Sequence, residues 1–168
     1  MIHPRAYPVF FTFLKGELLM THKFAIAALA LAFSAPVLAE QCSMDIEAND
    51  TMKYNKDSVT ISKKCKEFTV NLKHVGKMPK ASMGHNWVLT TKADMQGVVS
   101  ESIKAGVAND YINPSNTKVI AHTKMIGGGE TTSVAVSTSK LTAGTDYMFF
   151  CSFPGHAALM KGTVKVTD

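Results

Sequence analysis

The chain has 168 residues, a formal net charge of +5 and three cysteines. Its one arginine is Arg5, and beyond residue 39 there are 15 Lys, 12 acids and no Arg, a net charge of +3. Arginine is the favoured bidentate reader of phosphate and base edges. This balance therefore argues against nucleic acid and reads as a solvated surface able to steer an acidic partner.

The N-terminal part reads as processing sequence. Residues 20–23 are a short basic segment, residues 24–33 an apolar run too short to span a bilayer, and residues 34–39 end in small residues at −3 and −1 of a cut after Ala39. We expect a signal peptide over 20–39, export to the periplasm, and a mature chain from Glu40. Residues 1–19 precede a complete signal and read as an extension from a misplaced start codon. Ala39-Glu40-Gln41 before Cys42 is not a lipobox, so a soluble protein without a membrane anchor is expected. Residues 40–168 are enough for one domain with a proper core.

Taken in order, the remaining chain is rich in strand signals. Residues 42–46, 58–62 and 67–73 alternate apolar and polar. Strand-like runs follow at 87–91, 118–122, 131–136, 147–150 and 162–166, with turn signals such as Gly127-Gly128-Gly129 between them. Residues 93–105 break the rhythm: Met95, Val98, Val99 and Ile103 recur at helical spacing. These signals predict an all-β, eight-stranded sandwich of two sheets with one short inserted helix. Cys42 and Cys65 each lie in strand-like sequence and Cys151 among His, Met and Phe. The pairing that makes sense is Cys42–Cys65, with Cys151 free. Closing that loop is worth roughly 3 kcal/mol on a chain-entropy view.

The run Cys151-Ser-Phe-Pro-Gly-His156-Ala-Ala-Leu-Met160 sits between the last two strands, and His85 stands in Gly84-His85-Asn86-Trp87. One thiolate, two imidazoles and one thioether are the ligand set of a mononuclear blue-copper site: Cys and two His in a plane, with a weak axial Met. Pro154 and Gly155 let the loop turn sharply enough to present Cys151, His156 and Met160 to one point. Gly84 lacks a side chain, so its carbonyl has access to the metal opposite Met160. Structural zinc wants four His or Cys ligands, and a cysteine hydrolase would need an oxyanion hole and an orienting group. Neither pattern is found here.

From Cys42 to Val166 the chain resembles the azurins, a branch of the cupredoxins. The similarity is carried by Lys66-Glu-Phe-Thr-Val-Asn-Leu72, Met83-Gly-His-Asn-Trp-Val-Leu89, Val119-Ile-Ala-His-Thr-Lys124 and the run from Tyr147 to Gly162. The C-x4-H-x3-M spacing is that of azurins rather than of plastocyanin-like relatives with shorter loops. The resemblance implies a Greek-key sandwich with a helical flap, the Cys42–Cys65 disulfide, and one copper held by the Gly84 oxygen, His85, Cys151, His156 and Met160. It further implies that Asn86 ties the two ligand loops together and that the backbone N–H of Phe153 donates to the Cys151 sulfur. Trp87 becomes the buried indole, His74 a non-ligand near the site, and His122 a surface residue. An apolar rim of Met78, Met83, Pro154, Gly155 and Ala157 is expected around His156 as a docking patch.

The expected function is one-electron transport in the periplasm by a monomer that docks transiently with redox proteins such as c-type cytochromes, and not enzymatic catalysis. A copper-delivery protein is the alternative, and it would favour an exposed, exchangeable site. A copper oxidoreductase would need a second histidine cluster. Beyond residue 39 the only histidines are His74, His85, His122 and His156.

Overall fold

The computed structural model of the protein describes residues 40–168. The expected signal peptide (20–39) and the upstream extension (1–19) lie outside the described residues. The strands are β1 (Ser43–Asn49), β2 (Lys53–Tyr54), β3 (Ser58–Ser62), β4 (Glu67–His74), β5 (Val88–Thr91), β6 (Ala121–His122), β7 (Thr131–Ser137), β8 (Tyr147–Phe150) and β9 (Lys161–Thr167). They form two sheets, β2-β1-β4-β7 and β3-β9-β8-β5-β6. β1 runs parallel to β4 and β3 parallel to β9, whereas the remaining pairs are antiparallel. The chain therefore switches sheets repeatedly, as a Greek-key sandwich requires.

All eight expected strands are present. The ninth, β2, is a two-residue return that pairs Tyr54 with Ala48 and is too short to carry an alternation. The run at 118–122 contracts to Ala121–His122 because only these residues pair with Val88 and Leu89.

Alternation decides what enters the core. β4 points Phe68, Val70 and Leu72 inward, and the same period of two places His74 there, fully buried. Ile46, Val59, Ile61, Trp87, Leu89, Phe149 and Val164 meet them between the sheets. β5 and β8 are covered on their other face as well, where Val88 and Phe150 pack with Val98. β8 (Tyr147-Met-Phe-Phe150) therefore reads as a continuous apolar run, and β5 is buried at Val88, Leu89 and Thr90 in succession, rather than alternating.

Val98 belongs to α2 (Met95–Ala105), the inserted helix; a single helical turn, α1 (Lys80–Met83), precedes β5. One expectation about α2 needs correcting. Ile103 is 62% exposed, and the position buried beside Val98 is Ser102. Ser102 lies four residues after Val98, at the buried centre of the face, whereas Ile103 lies four after Val99, on its half-buried flank. The Ser102 hydroxyl is satisfied by donating to the Val99 carbonyl at 2.7 Å. Among the described residues no helix is long and apolar enough to cross a membrane.

Cys42 and Cys65 form the disulfide, and Cys151 is free and buried. Metal-free protein unfolded without reductant will therefore show one reactive thiol by colorimetric titration. A count of three, or a peptide cross-linked through Cys151, would contradict this pairing.

Candidate metal centre

Two loops meet at one end of the sandwich. The first carries Gly84 and His85. His85 is pinned by a two-way backbone bridge to Ile126, with both N–H···O distances at 2.9 Å. Gly84 is required by crowding: a Cβ there would lie 2.6 Å from the Lys80 carbonyl oxygen and 2.9 Å from Met125 Cγ. The second loop joins β8 to β9. It begins at Cys151, turns at Gly155 and closes where Cys151 N–H donates to the Met160 carbonyl at 3.0 Å. Gly155 has φ +83°, in the left-handed region that favours glycine.

The loops bring Cys151 Sγ to 3.9 Å from His85 Nδ1 and 3.6 Å from His156 Nδ1. All three donor atoms lie within 4.8 Å of one another. A first-row ion about 2.0 Å from nitrogen and about 2.3 Å from sulfur, in a trigonal plane, requires an S···N separation of about 3.7 Å. Both S···N separations are therefore close to those a three-coordinate ion needs. His85 and Cys151 are fully buried and His156 is 3% exposed.

Hydrogen bonds aim the donors. His85 Nε2–H donates to the Asn49 carbonyl at 2.9 Å, which leaves Nδ1 with a lone pair facing the sulfur. His74 stacks on His85 with centroids 4.4 Å apart, but both its ring nitrogens are engaged. Nε2–H donates to the Met83 carbonyl at 2.9 Å, and Nδ1 accepts from Gly76 N–H at 3.1 Å. It has no lone pair left for a metal. His122 lies on the exposed strand β6. The His156 ring is flanked by Phe153, centroids 4.4 Å apart, and Phe153 by Tyr111.

Asn86 joins the loops. Its Oδ1 accepts from Ser152 N–H at 2.9 Å, and its Nδ2 donates to Ser152 Oγ at 2.7 Å and to the Asp110 carbonyl at 3.2 Å. The Tyr54 hydroxyl donates to the Asn86 carbonyl from beneath. Asn49, Tyr54, Asp110 and Ser152 were not anticipated from sequence. Asn49 and Asp110 act through main-chain carbonyls, which any residue type supplies, and Tyr54 donates its hydroxyl to the main-chain carbonyl of Asn86, 32 residues away, so no local pattern marks them. Only Ser152, a polar residue inside an otherwise apolar run, left a trace.

Without metal the site disfavours charge. Burial pushes the Cys151 thiol up to about 12, against the pull of the Asn86 and Phe153 backbone N–H groups at its sulfur. Burial likewise lowers His85 to about 4; the Asn49 carbonyl opposes this, and His74 and His156 add to it. His156 is lowered by burial too. A divalent or monovalent cation is the natural counter-charge for a thiolate held in such a place, and loading it releases the thiol proton.

The remaining expected residues lie as follows. Gly84 is buried, with its carbonyl oxygen 3.8 Å from Cys151 Sγ. Met160 is fully buried in the same core cluster as Cys151. Met78 is 39% exposed, Met83 and Pro154 are half-buried, Gly155 is exposed, and Ala157 is buried.

Comparison with known proteins agrees with this geometry. Residues 40–167 match the family described as copper binding proteins, plastocyanin/azurin family. The chain is 59% identical over 141 residues to an azurin of Bordetella pertussis, covering 84% of this chain and 94% of the relative. It is 55% identical over 147 residues to an azurin of Pseudomonas aeruginosa, covering 88% and 99%. It is 59% identical over 128 residues to azurin-1 of Alcaligenes xylosoxydans xylosoxydans, covering 76% and 99%. Similarity of this extent, over a sandwich that closes a Cys–His–His triad at one end, means that the chain belongs to the plastocyanin/azurin family of copper-binding proteins and is a blue-copper electron carrier.

Proposed function

We propose that His85, Cys151 and His156, with the Met160 thioether and the Gly84 carbonyl, would hold copper, and that the protein carries single electrons between periplasmic redox proteins such as c-type cytochromes. Copper supplies a one-electron Cu(I)/Cu(II) couple, which a mixed sulfur and imidazole set accommodates in both states. The chain's own task is to hold that set still. The Ile126 bridge and the Asn49 carbonyl both fix His85, and the Asn86–Ser152 pair ties the residue after His85 to the residue after Cys151. The observation that carries the reading is burial: a triad at most 3% exposed suits electron passage and excludes a bulky substrate. The same burial disfavours copper delivery, which needs an open, exchangeable site. Export with cleavage after Ala39, a monomeric state, the absence of a membrane anchor and the absence of enzymatic activity complete the proposal.

The axial assignment has its own test. Met160→Leu removes weak electron donation that favours Cu(II), so the reduction potential will rise while the blue colour stays. The expected size is of the order of a tenfold change in relative Cu(I) binding, about 59 mV for one electron. Voltammetry showing an unchanged potential would remove Met160 from the site.

In this reading electrons leave through His156, whose ring edge meets the rim of Met78, Met83, Pro154, Gly155 and Ala157. Met83→Lys puts a charge into that rim and will slow both self-exchange and transfer from a cytochrome by about tenfold, equivalent to ~1.4 kcal/mol, with the copper spectrum intact. Lys140→Glu, on the short helical turn after β7, will change the rates only modestly and in a salt-dependent way. Normal self-exchange in Met83→Lys with loss in Lys140→Glu would place the exit elsewhere.

A further inference from the structure

Beside the ligand turn lies a groove that holds no ligand residue and shares Gly155 and Ala157 with the rim around His156. It has a volume of about 400 Å³ and runs between α2 and the 155–158 turn. Met95, Val99 and Ala157 line it with apolar surface, and Lys92 and Lys161 line it with positive charge. Among the described residues no acidic side chain lines it. Lys92 has a single ion-pair contact among the described residues, 3.9 Å to Asp146, with both side chains largely exposed. Such a pair contributes little and yields readily to a partner. Lys161 has no ion pair among the described residues.

The apolar lining is firmly backed. Met95, Val99 and Ala157 pack on the cluster of Val88, Val98 and Phe150 beneath α2, so an occupant meets a rigid wall. Met95 adds a flexible, polarizable surface that adapts to different shapes. The opposite wall is the turn of Ala157 and Ala158, directly after His156. Whatever fills the groove therefore touches the segment that holds a copper ligand.

An apolar trough with two weakly partnered cations and no acids is complementary to an apolar side chain flanked by carboxylates. We infer that this groove receives an acidic segment of the redox partner, a Leu-type side chain between Asp or Glu residues, and so fixes the partner's orientation beside the exit at His156. The inference rests on the electron-carrier reading. It adds a specific contact that the apolar rim lacks, since a flat apolar rim accepts many orientations and a charged groove accepts few.

Two measurements on the copper-loaded protein test it. In the first, the reduced ¹⁵N-labelled protein is titrated with the synthetic peptide acetyl-Glu-Glu-Leu-Glu-Glu-amide and, separately, with its lysine counterpart. The acidic peptide is expected to shift the amides of Gln96, Val99, Ala157 and Ala158, with an effect that fades with salt and is lost in Lys92→Glu/Lys161→Glu. Equal response to the basic peptide, or shifts on another face, overturns the inference. Concentration-dependent shifts at these amides without peptide would assign the groove to a second copy of this chain and overturn it as well. In the second measurement, transfer from a c-type cytochrome with an acidic surface is followed. The double variant is expected to lose about tenfold in rate at low ionic strength and to converge with wild type at high salt, its blue band unchanged. Equal rates at low salt overturn the groove and leave the carrier reading standing. A wild-type protein that accepts no electron from any cytochrome overturns the carrier reading, and the peptide titration still decides the groove.

Discussion

Cys151→Ser will abolish the blue absorption of the oxidised, copper-loaded protein. The intense band arises from charge transfer out of a thiolate sulfur whose p orbital overlaps the copper d orbital in the ligand plane. A serine hydroxyl is hard, far less readily ionised, and cannot supply that transition. Copper affinity should fall by well over ~100-fold, since losing only an outer partner of a metal ligand already costs 10–100-fold. The fold should survive, because Cys151 takes no part in the disulfide and the substitution changes one buried atom. A visible spectrum and a chelator competition measure both effects. A wild-type protein that is colourless with Cu(II) bound, or a Ser variant that keeps the band, would remove Cys151 from the metal's coordination sphere.

Asn86→Leu will destabilise the metal-free protein by about 1–3 kcal/mol. The change leaves the Ser152 N–H, the Ser152 hydroxyl and the Asp110 carbonyl without the Asn86 side chain. Each newly unsatisfied buried group costs about 1–3 kcal/mol. The Ser152 hydroxyl still donates to the Asp110 carbonyl at 3.3 Å, so these two groups keep each other and only the Ser152 N–H is left without a partner. The same loss frees the segment after Cys151 from the segment after His85, so the reduction potential should move and copper exchange should quicken. Asn86→Asp keeps the acceptor for Ser152 N–H and should restore part of the stability. Denaturant unfolding of the two variants separates these outcomes. A Leu variant as stable as wild type would show that the two loops are held by something else.

The metal loop was legible because it is local. Cys151, His156 and Met160 share one ten-residue connection, and the chemistry of their side chains points to copper without any tertiary knowledge. The strands were legible for a similar reason: a period of two in residues 42–46 and 67–73 is a property of neighbouring residues. Even the burial of His74 follows from that period, since it continues the inward row of Phe68, Val70 and Leu72. The helix at Met95–Ala105 was found by its spacing, yet its buried side was misjudged at Ile103, because a stripe of apolar residues does not say where the covering surface stops.

Sequence by itself therefore determined the strand content, the cysteine pairing and the Cys–His–His triad, all of which depend on side-chain chemistry or on residues close in the chain. Tertiary structure alone decided how the donors are aimed. The parallel pairing of β1 with β4 brings the end of β1 beneath the loop of His85, so that the Asn49 carbonyl can hold Nε2 and leave Nδ1 free. The hairpin return of β2 delivers the Tyr54 hydroxyl to Asn86. The seating of α2 against β5 and β8 opens the lysine-lined groove beside the His156 turn. These contacts join residues far apart in the chain, mostly through main-chain carbonyls that every residue possesses. Their positions are set by sheet order and packing, which no local pattern records.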